Sequence, residues 1–239
     1  MPLLTDPRDN QLLCALPEEV WSLWSNYLEP VDLPMGKVLC DSGRCFSHVF
    51  FPTSGIVSLL YVMADGHSSE VAVAGKEGLI GVPLLMGGDS MPTQAVVQTA
   101  GEGYRLKAQW VTDAFNRGGP TMRLLLRYVQ ALMAQLSQLA VCNRHHTLDQ
   151  QLCRWLLLSL DRLEGNQVLM TQEVIANMLG VRREGVTEAA GKLQRSGLIH
   201  YRRGHITVLD RDGLEHRSCE CYRVVRSEYE RLLPGMAMA

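Results

Sequence analysis

Three charged residues stand together at 182–184, Arg182, Arg183 and Glu184, inside the stretch "TQEVIANMLGVRREGVTEAAGKLQRSGLI". Arginine can donate two parallel hydrogen bonds to the O6 and N7 edge of guanine, and glutamate can accept from the N4 amine of cytosine. Arginines at a helix start oppose the helix dipole, so helix stability does not explain them. Glutamate is also a poor choice for general attraction to a polyanion. An incidental charge cluster on a solvated helix end is the plainer reading; the pairing of Arg with Glu favours the reading of DNA base edges.

Such residues need a helix that can enter a groove. Thr171 can cap a helix running to Leu179 through Gln172 and Glu173, with Val174, Ile175, Met178 and Leu179 as its buried stripe. Gly180 permits a corner and Val181 plugs it. A second helix from about Arg182 to Arg195 buries Val186, Ala189, Ala190 and Leu193, and turns Arg182, Arg183, Thr187, Glu188 and Lys192 outward. Two helices joined by a short glycine corner form a helix-turn-helix. "LIHYRRGHITVLD" then reads as a β-hairpin wing with Arg203-Gly204 at its tip, where Arg202, Arg203 and His205 would lie beside phosphates. The DNA-contacting set is therefore Thr171, Gln172, Arg182, Arg183, Glu184, Thr187, Glu188, Lys192, Arg202, Arg203 and His205.

The chain ahead of this unit has two textures. Residues 17–28 read as a short amphipathic helix with Val20, Trp21 and Trp24 inward. From about 33 to 108, short β-rich runs alternate with glycine turns: "HVFFP", "GIVSLLYVM", "SSEVAVAG", "GLIGVPLL", "TQAVVQTA" and "GYRLKA". "ADGH" at 64–67 marks a hairpin, its Asp-Gly pair supplying positive φ angles. The expectation is an antiparallel barrel or roll. A helix follows from Pro120, in which Met122, Leu125, Val129, Leu132, Leu136, Leu139 and Asn143 recur in alternating steps of three and four. This period suits a helix lying on its own domain, and suits better two helices wrapped around each other. Leu125, Val129, Leu132, Leu136 and Leu139 are the expected dimer contacts. "CNRHHT" at 142–147 breaks this helix, a second helix covers 148–163, and "EHRSCECYRVVRSEYERLL" reads as a C-terminal helix.

Composition sets the frame. The 239 residues are 46% hydrophobic and 20% charged with a net charge of −2, which fits an ordinary globular chain and excludes a general basic coat. No apolar run reaches the roughly 18 residues that cross a bilayer, and Asp6 and Asp9 stand where a signal peptide would be basic, so a cytoplasmic protein is expected. Seven scattered cysteines do not make a disulfide framework.

The order of roll, long helix, second helix, helix-turn-helix and wing resembles the Crp–Fnr family of bacterial transcription regulators. The resemblance covers about residues 20–210 and is most specific in "TQEVIANMLGVRREGV". It implies an α+β fold: a cyclic-nucleotide-binding-like roll over 1–119, a dimerisation helix over 120–145, and a winged helix-turn-helix with a C-terminal extension over 146–239. It implies a homodimer on near-palindromic double-stranded DNA, with RNA polymerase as a further partner. Arg183 and Glu184 fall on the family's base-reading pair. A further arginine, one turn later in many members, is Glu188 here, and Gly185 replaces a threonine or serine. The effector pocket departs further. Members that bind cyclic AMP carry a glutamate for the ribose and an arginine for the cyclic phosphate; Val82 and Thr93 stand there in "GLIGVPLLMGGD" and "MPTQAVVQ". Gly81, Val82, Pro83, Thr93 and Gln94 mark the corresponding pocket, and cyclic AMP is not its expected ligand.

Other candidate sites are weak in sequence. Cys14, Cys40 and Cys45 do not form the tight cluster of the iron–sulfur members, and His48 and His67 carry no haem signature. His145 and His146 read as polar hinge residues, no metal site is expected, and Cys219 and Cys221 leave redox sensing open. No catalytic constellation is visible, so an enzyme is not expected. The competing reading is a small-molecule-binding or redox-sensing protein whose helix-turn-helix is an interaction module.

Overall fold

The computed structural model describes residues 5–233; residues 1–4 and 234–239, the outer ends of the expected first and last domains, lie outside the described residues. Two short helices, α1 (Gln11–Cys14) and α2 (Glu18–Trp24), lead into the roll. Asn10 caps α1 by accepting from Leu13 N–H, while its amide donates to the carbonyls of Pro52 and Gly78. Of the three apolar residues expected inward on α2, Trp24 is fully buried and Val20 and Trp21 are half-buried.

The roll consists of β1 (Glu29–Leu33), β2 (Val38–Cys40), β3 (His48–Pro52), β4 (Ile56–Val62), β5 (Ser68–Ala74), β6 (Gln94–Thr99) and β7 (Gly101–Lys107). They form two antiparallel sheets in the orders β1-β7-β3 and β2-β6-β4-β5. The hairpin at 64–67 joins β4 to β5 as expected, but only Gly66 takes a positive φ; Asp65 instead accepts from His67 N–H at 3.1 Å. The "GLIGVPLL" run is not a strand. It makes one bridge, Ile80 to Phe50, and then a 3-10 turn over Val82–Met86, because Pro83 cannot donate to a ladder. β1 and β2 are short and carry proline and glycine nearby, which hid them in the sequence.

Helix α3 (Ala108–Asn116) closes the roll, and α4 (Gly119–His145) follows after Gly118 and Gly119, both at φ 77°. Next come α5 (Leu148–Leu160), β8 (Gln167–Leu169), α6 (Gln172–Leu179), α7 (Arg183–Arg195), β9 (Ile199–Arg202), β10 (His205–Val208), α8 (Arg211–Arg217) and α9 (Glu220–Leu232). The expected single C-terminal helix is thus two, parted at Ser218 and Cys219. Thr147 and Gln150 form a reciprocal capping box at the start of α5. α5 is buried almost all round rather than on one stripe, since it lies between the roll and the helices α7, α8 and α9.

One continuous apolar core runs from Leu12 to Leu233, across the boundaries expected near 119 and 145. At its centre an ion pair joins the two ends. Arg162, just past α5, donates from Nε to Glu77 of the roll at 2.7 Å, with both side chains essentially out of water. Glu77 also accepts from Gly75 N–H, and Arg162 donates to the Leu158 carbonyl at 2.6 Å. Above the pair, Gln135 of α4 accepts from Val73 N–H at 2.7 Å and donates to the Tyr229 hydroxyl of α9.

Much of the expected α4 seam is packed within the chain itself. Leu125, Val129 and Leu132 are buried within the chain, and Leu136 and Leu139 are half-buried. The 3-4 pattern records contact with the roll and α9. The exposed face of α4 carries Leu126, Gln130, Met133, Ser137, Ala140, Val141 and Arg144.

Removing one partner of a buried pair strands the other charge, at a cost of about 3–5 kcal/mol. Arg162→Ala should lower the unfolding free energy by about that amount in urea titration, and Glu77→Gln should also destabilise. A loss below about 1 kcal/mol for Arg162→Ala would mean that the pair is hydrated and does not join the two parts.

Candidate nucleic-acid interface

Local chemistry builds the corner as expected. The Thr171 hydroxyl accepts from Val174 N–H at 3.3 Å, and Gly180 ends α6 in the left-handed conformation at φ 65°. A side chain there would also meet the Ser69 hydroxyl of the β4–β5 hairpin, 2.6 Å from an added Cβ. Val186, Ala189, Ala190 and Leu193 of α7 are buried, and Ile175 and Leu179 of α6 meet them in the core. Val174 and Met178, expected in the buried stripe, instead line an apolar groove of about 500 Å³ with Met35 and Val97 of the roll.

The expected base-reading residues divide between two clefts that meet at Arg183. Thr171, Gln172, Arg183, Arg203 and Gly204 line one, of about 550 Å³, between the first helix and the wing. Arg182, Arg183 and Glu184 line the other, of about 590 Å³, against His67, Ser68 and Ser69 of the roll hairpin. The Thr187 hydroxyl donates to the side-chain amide oxygen Oε1 of Gln172 at 2.7 Å, which ties the two helices together across their outer face. Arg183 lies 4.0 Å from Glu173, and both are about two-thirds exposed. Arg182, Arg202 and Arg203 have no ion-pair partner among the described residues. Arg182 occupies the N-cap position of α7 and gives no side-chain cap, so side chains of this kind leave the first-turn N–H groups open to an outside acceptor.

Lys192 does not share this surface. Its ammonium lies 3.0 Å from Glu188 and 3.6 Å from Asp149 of α5, and these carboxylates raise its pKa, the Glu188 hydrogen bond first. Two turns into α7, its position faces α5 rather than the open side. Glu188 is exposed but occupied by the same lysine.

The wing is three-stranded, in the order β8-β10-β9, since β8 pairs with β10. At its tip Arg203 and Gly204 both have positive φ, 50° and 82°, the geometry of a type I′ hairpin. Arg203 is the one non-glycine residue with positive φ among the described residues. Asn or Gly would fit the turn at less than the cost of about 1–2 kcal/mol that the left-handed conformation asks of most other side chains. Tyr201, not singled out in the sequence, completes the cleft; its hydroxyl donates to the Met170 carbonyl at 2.8 Å, and burial pushes its pKa up to about 12. An aromatic residue within "HYRRGH" was the available signal.

In the roll, Gly81 (φ 131°) starts the 3-10 turn, Val82 and Pro83 are buried, and Thr93 is buried beside β6. Gln94 donates to the Asp41 carboxylate at 2.9 Å. All five of these residues carry apolar or neutral side chains, and Gln94 is the one bonded to a carboxylate.

Two family models match this arrangement: the cyclic nucleotide-binding domain over residues 30–117 and the Crp-like helix-turn-helix domain over residues 150–217, together about two thirds of the chain. The chain belongs to the Crp/Fnr-type transcription regulators. No curated protein matches it. Among solved structures, a putative Crp/Fnr-family transcriptional regulator from Eubacterium rectale is 18% identical at a TM-score of 0.70, covering 90% of this chain and 99% of its own. FixK2 from Bradyrhizobium japonicum is 16% identical at 0.67, covering 80% and 98%. The c-di-GMP-responsive global regulator CLP of Xanthomonas campestris is 16% identical at 0.64, covering 81% and 100%. At these identities the likeness shows the fold, and the domain models support a regulator over a stand-alone interaction module. Among the described residues, no helix of this regulator is long and apolar enough to cross a membrane.

Proposed function

We propose that this regulator binds near-palindromic double-stranded DNA as a homodimer, reads bases with Arg183 and Glu184, and holds phosphates with Arg182, Arg202, Arg203 and His205. It would act on transcription beside RNA polymerase. The division into a sensor roll (1–119), a dimer helix (120–145) and a DNA-binding part (146–239) describes these roles, although one core unites them. The observation that carries the reading is the convergence of the exposed N-terminus of α7 and the strained Arg203 tip on one cleft. Lys192 is left out of the contact set because two carboxylates already hold it.

The second copy would sit on the exposed α4 face through Leu126, Met133 and Val141, which recur at roughly heptad spacing. The roll would take an effector other than cyclic AMP. A cyclic phosphate needs a cation, and the pocket residues offer Val82, Thr93 and a Gln94 already bound to Asp41.

Arg183→Ala should cost about 1–3 kcal/mol on the preferred site and relax one base pair per half-site, with Glu184→Ala relaxing its neighbour. Arg203→Ala should weaken all sequences alike and reduce the salt slope by about one per subunit. Selection from randomised DNA at two salt concentrations separates these effects. Unchanged sequence preferences in Arg183→Ala would overturn base reading by this helix.

Met133→Asp should give a folded monomer in sedimentation at micromolar concentration, whereas Leu132→Asp should unfold the chain, because it buries a charge in its own core. A dimeric Met133→Asp beside a folded, monomeric Leu132→Asp would return the interface to the Leu125–Leu139 seam.

Cyclic AMP should release no binding heat and leave Tm unchanged. A ligand present at about 100 times its Kd would add about 2.7 kcal/mol of stability, well within detection. Micromolar affinity by calorimetry would contradict the assignment of Val82 and Thr93.

A further inference from the structure

Far from the DNA-binding cleft, four side chains meet where α4 ends and α9 begins. Cys142 and His146 stand one turn apart at the end of α4, while Cys219 occupies the N-cap of α9 and Cys221 its first turn. The Sγ atoms of Cys142 and Cys219 are 3.5 Å apart, as are Cys221 Sγ and His146 Nδ1. All four potential ligand atoms lie within 4.8 Å of one another. The three cysteines are buried as a cluster separate from the main core, and the His146 side chain is 13% exposed.

We propose that Cys142, His146, Cys219 and Cys221 form a Cys₃His site for a single tetrahedral transition-metal ion, zinc being the best match.

Donor geometry argues for one ion. Zinc–sulfur bonds of about 2.3 Å around a tetrahedron place sulfurs about 3.8 Å apart, close to the spacings here. The iron–sulfur alternative spreads its cysteines around several metal atoms and needs more room than this set allows. A Cys142–Cys219 disulfide would require closure to about 2.05 Å, and would leave no role for the inward Nδ1 of His146 or for Cys221. The outer partners suit a metal as well. His146 Nε2 lies 3.3 Å from the Glu220 carboxylate, so a proton kept on Nε2 beside that carboxylate would leave the Nδ1 lone pair for the metal. Three thiolates and Zn²⁺ carry a net charge of −1 once the thiol protons have left to solvent. The buried guanidinium of Arg154 lies within electrostatic reach of Cys142, and its Nε has no hydrogen-bond partner. The proposal departs from the hinge reading of His146 and from the expectation of no metal site. A bound ion would tie the α4–α5 hinge to the start of α9, fixing the end of the long helix against the C-terminal extension.

The full chain, produced with added zinc and purified under reducing conditions, should hold about one zinc per chain by elemental and native mass spectrometry. Cys221→Ser and His146→Ala should lose it, while the exposed Cys14→Ser retains it. Because a ligand variant can fail to fold, wild-type protein exchanged into cobalt(II) gives a second reading: intense tetrahedral d–d bands and sulfur-to-cobalt charge transfer. Chelation should lower the wild-type Tm and leave folded ligand variants unmoved. No zinc in wild-type protein after zinc addition would overturn the site. So would zinc retained by folded Cys221→Ser and His146→Ala, an octahedral cobalt spectrum, iron with acid-labile sulfide, or a Cys142–Cys219 disulfide in place of the metal.

Discussion

The buried pair of Arg162 and Glu77 makes one body of two parts that the sequence presents as separate. A charge in a low-dielectric interior is costly unless its partner and most of its hydrogen bonds are in place. Here Glu77 is held by backbone N–H as well as by guanidinium, and Arg162 reaches a helix carbonyl, while its Nη2 has no hydrogen-bond partner among the described residues. The pair therefore sets where the end of α5 lies on the roll. α5 in turn carries the packing of α7 and α8, so the orientation of the recognition helix follows from an interaction far from DNA. Glu77 is also only four residues before Gly81, so the candidate effector pocket and the clamp share one short loop. A shift of that loop must carry α5 with it or break the pair, and breaking it is expensive.

A second contact reinforces this arrangement. The β4–β5 hairpin lies against α6, and Gly180 gives Ser69 room at the corner. The glycine therefore meets two demands, the left-handed turn and the close approach of the hairpin. Only the first could be read from the sequence, because the second depends on a segment more than a hundred residues away.

The same distinction explains what was legible elsewhere. The helix-turn-helix, the wing and α4 were readable because caps, corner glycines and periodic apolar residues act within a few positions. The face of α4 that stays free was not, since Leu125 and Leu126 are equally apolar and only the docking of the roll and α9 decides which is covered. The side of α7 taken by Lys192 depended on Asp149, and the Cys₃His cluster on two short pairs separated by more than seventy residues. Neither C-x-C nor a cysteine four before a histidine says anything alone; together they occupy one small volume.

Arg203 shows how a local departure from backbone preference can be informative. The type I′ turn asks for φ above zero at both central positions, and Gly204 meets this freely. Arginine does so against its own sterics, at a place where no carboxylate pairs with it among the described residues. Packing cannot explain it, because the side chain is exposed, and the fold gains nothing from its length. The turn places that charge on a cleft shared with Arg183, the first residue of α7. Two guanidinium groups and a helix N-terminus thus border the same space, together with the Glu173 carboxylate 4.0 Å from Arg183. On the function proposed above, a polyanion in this space would draw on both guanidinium groups and the helix N-terminus, and would compete with Glu173 for Arg183.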